Sequence, residues 1–531
     1  MRMETLHTDA YQMAGQDIPW LLAHWVERKP DHPLLVWEPK NGVGRTWTYT
    51  EFQTDVQRLA AGLLANGVAK GDNVLIHADN CPEGVLAWYA CATLGAAAVT
   101  TNTRSVASEL NYFVEHARCV AAITQPQYAA LVTEAAGRVQ WIAVTDDNSG
   151  EPASSEQLPH DHRSFSSLFG DAASLPARAA EPMLPAGIQF TSGTTSRPKA
   201  VVHTHGNAVW ASRVGSRNID ITTDDVYLIY LPFFHVNAQS WSMWSTLGVG
   251  GTVVLQPKFS SSRFWDVVTR HGVTHISLLP FVVKAMAGQE MPPNKLRVAQ
   301  YGAIMPAFPQ WPNLKIYACY GMTETVTHAI SGRPSERWPN GSMGHPTPGY
   351  QIAIVDKETG ELCGDGHTGE LWVRGIRGIQ LFLEYYDNDE ANAKSFTSDG
   401  WFKTGDMVTL RAGGNVFYAE RDKDLLKVGG ENVSAREVED TCRQVAGIAE
   451  IAAVGQSHEM LDQVVVVFVI KNPDAADEAA MAIQIIDVCR ARLADFKVPR
   501  AVYFVDEFPR ATLDKVAKNK LRELADAKRD A

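Results

Sequence analysis

Residues 190–199, FTSGTTSRPK, put five hydroxyl side chains and one glycine into a short run that ends in a lysine. Backbone N–H groups and hydroxyls in a tight turn, with a cation beside them, are donors suited to phosphate oxygens. Thr191, Ser192, Gly193, Thr194, Thr195 and Lys199 are therefore the first candidate ligands for an anion. A Ser/Thr/Gly-rich stretch is also an ordinary surface turn, but the length of this one and its Pro-Lys end favour the anion site. The run is not the GxxxxGK[ST] loop of kinases and GTPases, because Pro198 precedes the lysine and Ala200 follows it.

Such a loop needs rigid elements on both sides. Short β-branched runs at residues 187–190 and 200–203 read as the strands that enter and leave it. Further runs at 73–77, 120–124, 141–145, 252–255 and 275–279 alternate with helical spacing at 105–115 and 261–270. Strands alternating with helices predict βαβ units and a mainly parallel sheet, so the fold class is α/β. Residues 146–185 read as a long polar surface connection. Near residue 350 the texture changes to short strands with turns. A smaller α/β unit begins near Asp422, which divides the chain into 1–421 and 422–531 with a charged hinge at 421–424.

Composition limits the function. The 531 residues are 45% hydrophobic and 20% charged, an ordinary globular balance that can bury a large core without disulfides or metals. The net charge of −12 argues against a general nucleic-acid binder, which needs a basic face. Seven scattered cysteines with no CxxC pair do not read as a disulfide scaffold or a structural zinc site. The N-terminus lacks the apolar run of a secretory signal, and the apolar stretch at 85–99 is short of the ~20 residues of a membrane span. That stretch is expected to be a buried helix running into a strand. The protein is expected to be soluble and cytoplasmic, with a homodimer left open.

The hydroxyl-rich loop resembles the phosphate loop of the adenylate-forming superfamily: acyl-CoA synthetases, amino-acid-activating domains and luciferases. The usual glycines are replaced here by Ser196 and Ala200. The family's other motifs follow in order. Residues 320–325 are YGMTET; the resemblance implies that Tyr320 stacks on adenine beside Gly321, Thr323 contacts the α-phosphate and Glu324 holds Mg²⁺. A carboxylate does suit a hard cation that also bridges phosphates. In GWFKTGD, Asp406 is similar to the acceptor of both ribose hydroxyls. In ERDKDLLKVGGEN, Arg421 is similar to a second ribose or phosphate ligand, and Lys423 stands at the hinge. Gly429 and Gly430 would let backbone approach a narrow pantetheine tunnel. In FPRATLDK, Lys515 matches the lysine that drives adenylation, although Ala511 and Asp514 replace the family's Thr and Gly.

The implied fold is a large N-terminal domain of stacked α/β subdomains with a β-rich subdomain, plus a small mobile C-terminal α/β domain. The implied reaction has two steps: a carboxylic acid and Mg-ATP give acyl-AMP and pyrophosphate, then coenzyme A takes the acyl group. Thr191, Glu324 and Lys515 are the expected catalytic residues. The acyl pocket is expected from His235, Asn237 and Trp241 with Tyr301, Gly302 and Ala303 as another wall. No carboxylate stands between Leu228 and Leu247, which disfavours an amino-acid substrate. The whole chain is most similar to crotonobetaine/carnitine-CoA ligase-like bacterial enzymes. Asn237 stands where that group is read as carrying Asp, so a neutral aliphatic or alicyclic acid rivals a carnitine-type one. A luciferase-like oxygenase, a carrier-protein acyl ligase and a non-catalytic nucleotide or acyl-AMP sensor remain as alternatives.

Overall fold

The computed structural model describes residues 10–154, 162–191, 197–301, 311, 314–339, 341–421, 425–472, 475, 477–509 and 516–529. Ser192, Gly193, Thr194, Thr195, Gly302, Ala303, Lys423 and Lys515 lie outside them.

The strand Asn73–His77 is buried at all five positions. A strand with no exposed position needs cover on both faces, as in parallel sheets. It sits inside a sheet whose edge-to-edge order is Lys199–Thr204, Pro185–Thr191, Ala97–Thr100, Asn73–His77, Cys119–Thr124, Ile142–Val144 and Arg163–Ser164. All neighbours are parallel except the first two, which form an antiparallel hairpin. These two strands flank the hydroxyl-rich run in sequence, and Thr191 pairs directly with Lys199. The apolar stretch is the expected buried helix, Pro82–Leu94, followed by the strand Ala97–Thr100. Gly95 separates them at φ +89°, a left-handed conformation that glycine adopts without a Cβ penalty.

A second, larger sheet has a parallel half: Pro33–Trp37, Thr252–Leu255, Val226–Ile229, His275–Leu278, Val298–Tyr301 and Lys315–Tyr320. It continues without a break into an antiparallel half through Ile330–Ser331, Ser342–Pro346, Asn415–Arg421, Trp401–Arg411, Thr368–Arg374 and Gln351–Val355. The switch to antiparallel pairing thus begins at Ile330, earlier than the change of texture near residue 350. A two-residue strand is too short to show a period. The strand Trp401–Arg411 also escaped reading, because Thr404, Gly405 and Asp406 interrupt its apolar alternation.

A separate sheet orders Glu431–Ser434, Leu425–Val428, Asp462–Lys471 and Ile448–His458, with Ala501–Phe504 paired in parallel on Asp462–Lys471. The helices Ala435–Cys442 and Glu478–Arg492 pack on it through a core of their own, including Val438, Val467, Ile485 and Cys489. The result is a mixed α/β molecule with a large N-terminal part and a smaller C-terminal unit.

Candidate functional site

Tyr301 and Tyr320 are the last residues of neighbouring parallel strands, and Leu231–His235 follow the end of a third. The carboxyl ends of parallel strands are where open α/β sheets bind ligands. The fold therefore collects these sequence-distant motifs at one edge.

On one side of this edge the Tyr320 hydroxyl donates to Asp406 Oδ2 at 2.7 Å. Asp406 is placed by the long antiparallel strand, where its backbone pairs with Arg421. The aromatic ring, the carboxylate and the Arg421 backbone are thereby brought together from three segments. Next to Tyr320, residues Thr323–Thr325 form one tight turn. The following residue, Val326, has φ +64°, a left-handed conformation that costs a β-branched residue about 1–3 kcal/mol. Surrounding bonds hold it there. His203 Nε2 donates to the Thr323 carbonyl at 2.7 Å, Tyr350 OH donates to the Thr325 carbonyl, and the Phe382 N–H donates to the Glu324 carbonyl at 2.9 Å. Burial pushes the His203 pKa down to about 4, so its ring is neutral and the Nε2 proton is fixed by the carbonyl it meets.

The Glu324 side chain accepts from Tyr385 OH at 2.8 Å. Lys199 Nζ lies 4.6 Å from the centroid of the same Tyr385 ring. Desolvation lowers the lysine's pKa, while the Glu324 charge opposes that and Lys394 adds to it. Thr191 Oγ1, across the hairpin, is buried without a hydrogen-bond partner among the described residues. A partly desolvated cation and an unmatched hydroxyl both gain from an anionic oxygen. Tyr385, His203, Tyr350 and Phe382 were not legible as site residues. They carry no motif, and only tertiary packing brings them to the turn.

On the other side of this edge is a π-helix, Asn237–Trp244, whose backbone bonds span one residue more than those of an α-helix. Ser242 Oγ caps the Asn237 carbonyl at 2.9 Å and so fills part of the widened ladder. Trp241 packs at 4.5 Å, centroid to centroid, on His328. Gly321 joins the two sides: a Cβ there would sit 2.8 Å from Trp241 Cζ2 and 2.8 Å from the Thr327 carbonyl oxygen. Any other residue would force apart the Thr327 backbone and the indole. Burial holds His328 neutral, with its pKa pushed down to about 3.

The C-terminal unit closes over this edge. His235 meets Glu431 with Nε2 3.1 Å from Oε2. Desolvation pulls the His235 pKa down, but the Glu431 charge and hydrogen bond outweigh it and raise the value. Gly430, at φ +89°, faces Leu279 closely enough that a Cβ would be 3.1 Å from its Cδ1. Gly429 lies at φ +59° in the same turn.

Comparison with known proteins decides the family. The description "AMP-binding enzyme" matches residues 22–386, and "AMP-binding enzyme C-terminal domain" matches 437–515. The chain belongs to the AMP-binding enzyme family. Curated relatives of this family member include crotonobetaine/carnitine–CoA ligases of Citrobacter koseri, 30% identical over 96% of this chain and 99% of the relative, and of Proteus mirabilis, 31% identical over 92% and 95%. A double mutant of o-succinylbenzoate CoA synthetase from Bacillus subtilis with its product analogue overlays at a TM-score of 0.80, with 27% identity, covering 95% of this chain and 98% of that one. The structure of that synthetase with AMP overlays at 0.66, with 27% identity over 94% and 98%. The chain is accordingly an AMP-forming, acyl-activating ligase.

The donors present fit the Mg²⁺ that accompanies ATP in this family. Mg²⁺ typically takes one or two protein carboxylates and completes its shell with phosphate and water oxygens. Glu324 supplies one hard carboxylate at the turn, and among the described residues no cluster of three or more His, Cys, Asp or Glu forms a dedicated metal cage. No helix among the described residues is long and apolar enough to cross a membrane.

Proposed function

We propose that this chain joins a neutral carboxylic acid to AMP and then passes the acyl group to coenzyme A. The observation that carries the first step is the junction at Gly321. On one flank Tyr320 is tied to Asp406; on the other the Trp241 ring lies against Gly321 itself. An adenylate on the first flank and an acid on the second would meet at Thr323 and Glu324.

Neither step needs a protein nucleophile. The carboxylate oxygen attacks the α-phosphorus and pyrophosphate leaves, so two anions must be brought together. Lys199 and Lys515 supply positive charge, and the Thr191–Thr195 loop supplies hydrogen-bond donors. Mg²⁺ bound through Glu324 would neutralise phosphate charge. Asp406 and Arg421 orient the ribose, and Tyr320 the adenine. Asn237, in place of a carboxylate, offers no charge to pair with a quaternary ammonium, and that favours an uncharged acyl chain or ring; the Trp241 face suits either.

The second step uses the other orientation of the C-terminal unit. The better overlay on the form with a product analogue than on the form with AMP, 0.80 against 0.66, supports the reading that the present orientation is the thioester-forming one. Gly430 against Leu279 fits a tunnel that admits pantetheine. We place the boundary at 421/422 and the pivot at Lys423. Lys423→Pro should slow thioester formation far more than ATP–pyrophosphate exchange; equal losses would remove Lys423 as the pivot. ATP and coenzyme A as co-substrates favour a cytoplasmic enzyme.

The His235–Glu431 pair adds a pH signature. A raised histidine pKa means that its contribution is full below the ordinary value of 6.5 and is lost as pH rises through the raised value. On the acid side it is lost as pH falls through the lowered Glu431 value, below 4.5. The imidazole side chain is 42% exposed, so screening limits the pair to about 0.5–1 kcal/mol. The wild-type to Glu431→Gln ratio of thioesterification rates, in which the ionisation of the CoA thiol cancels, should drop about two- to fivefold from pH 6 to 9. A flat ratio would deny the pair any role.

The test of the whole reading is pyrophosphate release from Mg-ATP with a panel of neutral organic acids, carnitine and crotonobetaine, with and without CoA, followed by mass analysis. A CoA thioester supports the ligase and its mass names the acid. ATP binding without turnover on a broad panel would favour the sensor.

A further inference from the structure

Glu109, near the start of the helix Ala107–His116, reaches out of the N-terminal part into the C-terminal unit. There Lys497 Nζ donates to Glu109 Oε1 and, at 3.1 Å, to Glu437 Oε1. The three residues are 8%, 6% and 8% exposed for Glu109, Lys497 and Glu437. Lys497 and Glu437 belong to the C-terminal unit, so they remain a pair whichever way it turns; only Glu109 is foreign to it. Flanking contacts fix the register: Arg104 bonds Asp495 at 2.6 Å and lies 4.6 Å from the Phe496 ring centroid, and Ser108 Oγ donates to the Arg492 carbonyl at 3.3 Å.

We propose that Lys497 is a positioning residue for thioester formation: one buried ammonium shared between two carboxylates latches the C-terminal unit in its present orientation. The proposal rests on the reading that this orientation is the thioester-forming one. The physical logic is asymmetric. With Lys497 in place, docking adds an attraction between Glu109 and the Lys497–Glu437 pair. With its charge removed, docking brings two buried carboxylates together with nothing between them, and a buried charge stripped of its partner is strongly unfavourable. Glu437 Oε2 is buried with no hydrogen-bond partner among the described residues, so it has no other means of offsetting a second carboxylate.

The signs of the variants follow. Glu109→Gln removes attraction and repulsion together and should slow conversion of a synthetic acyl-adenylate by CoA about tenfold. Lys497→Met leaves repulsion alone and should slow it about a hundredfold. The double variant should be faster than Lys497→Met and close to Glu109→Gln, because the facing carboxylates are gone. ATP–pyrophosphate exchange should stay within about twofold of wild type in all three. The acid is the one that the panel yields. An interdomain distance, read by fluorescence transfer with AMP as the only ligand, should move in the same order and needs no acid. Equal losses in both half-reactions, or a double variant slower than Lys497→Met, would overturn the latch. A wild type that forms no thioester would overturn the reading beneath it, and the distance measurement would still decide the latch.

Discussion

Lys515→Ala should lower acyl-AMP formation about a thousandfold while leaving CoA attack on supplied acyl-AMP nearly intact. The first step presses an acid carboxylate against a phosphate, and a cation about 3–4 Å away at an effective dielectric near 20 is worth about 4–5 kcal/mol. At about 1.4 kcal/mol per factor of ten, that is on the order of 10³. The second step starts from a mixed anhydride in which that repulsion is already spent. In the present orientation Gly430 and Glu431 meet Leu279 and His235. Single-turnover rates of the two half-reactions measure the split. Equal loss in both would mean that Lys515 supports the fold or both orientations, not adenylation.

Glu324→Gln should lower acyl-AMP formation about a hundredfold and raise the Mg²⁺ concentration needed for half-maximal rate. The amide can still accept from Tyr385 OH, so the turn keeps its bond and loses only charge. About 3 kcal/mol from one removed carboxylate ligand gives that factor. Tyr385→Phe is the counterpart. It keeps the charge, loses one hydrogen bond to a charged group worth about 1.5–3 kcal/mol, and should cost about tenfold or somewhat more with the Mg²⁺ requirement unchanged. If the two variants shift the Mg²⁺ requirement alike, Glu324 acts through the turn's geometry and not as the metal's carboxylate.

Much of the architecture was readable because it rests on local patterns. The strands Asn73–His77, Thr252–Leu255 and Ala501–Phe504 and the helix Glu478–Arg492 come from short-range periodicity and keep their places within a few residues. The two strands flanking the hydroxyl-rich run were legible for the same reason. The short strands Ile330–Ser331 and Leu425–Val428 were not, since two to four residues carry too little pattern to outweigh their charged and polar neighbours. The widened helix at Asn237–Trp244 was equally silent, because π-geometry is imposed by packing around Trp241 and Trp244 and has no composition of its own.

The sequence by itself determined the motif order, the α/β class and the residue types able to handle an adenylate, because each of those is a local concentration of unusual side chains. Tertiary structure alone decided the partners. Tyr320 meets Asp406 across 86 residues, Tyr385 meets Glu324 across 61, and Lys497 meets Glu109 across 388. Those meetings depend on which strands lie side by side and on how the C-terminal unit is turned. The first is set by burial of whole faces, a non-directional force spread over hundreds of residues, and neither is recorded in any single stretch of chain.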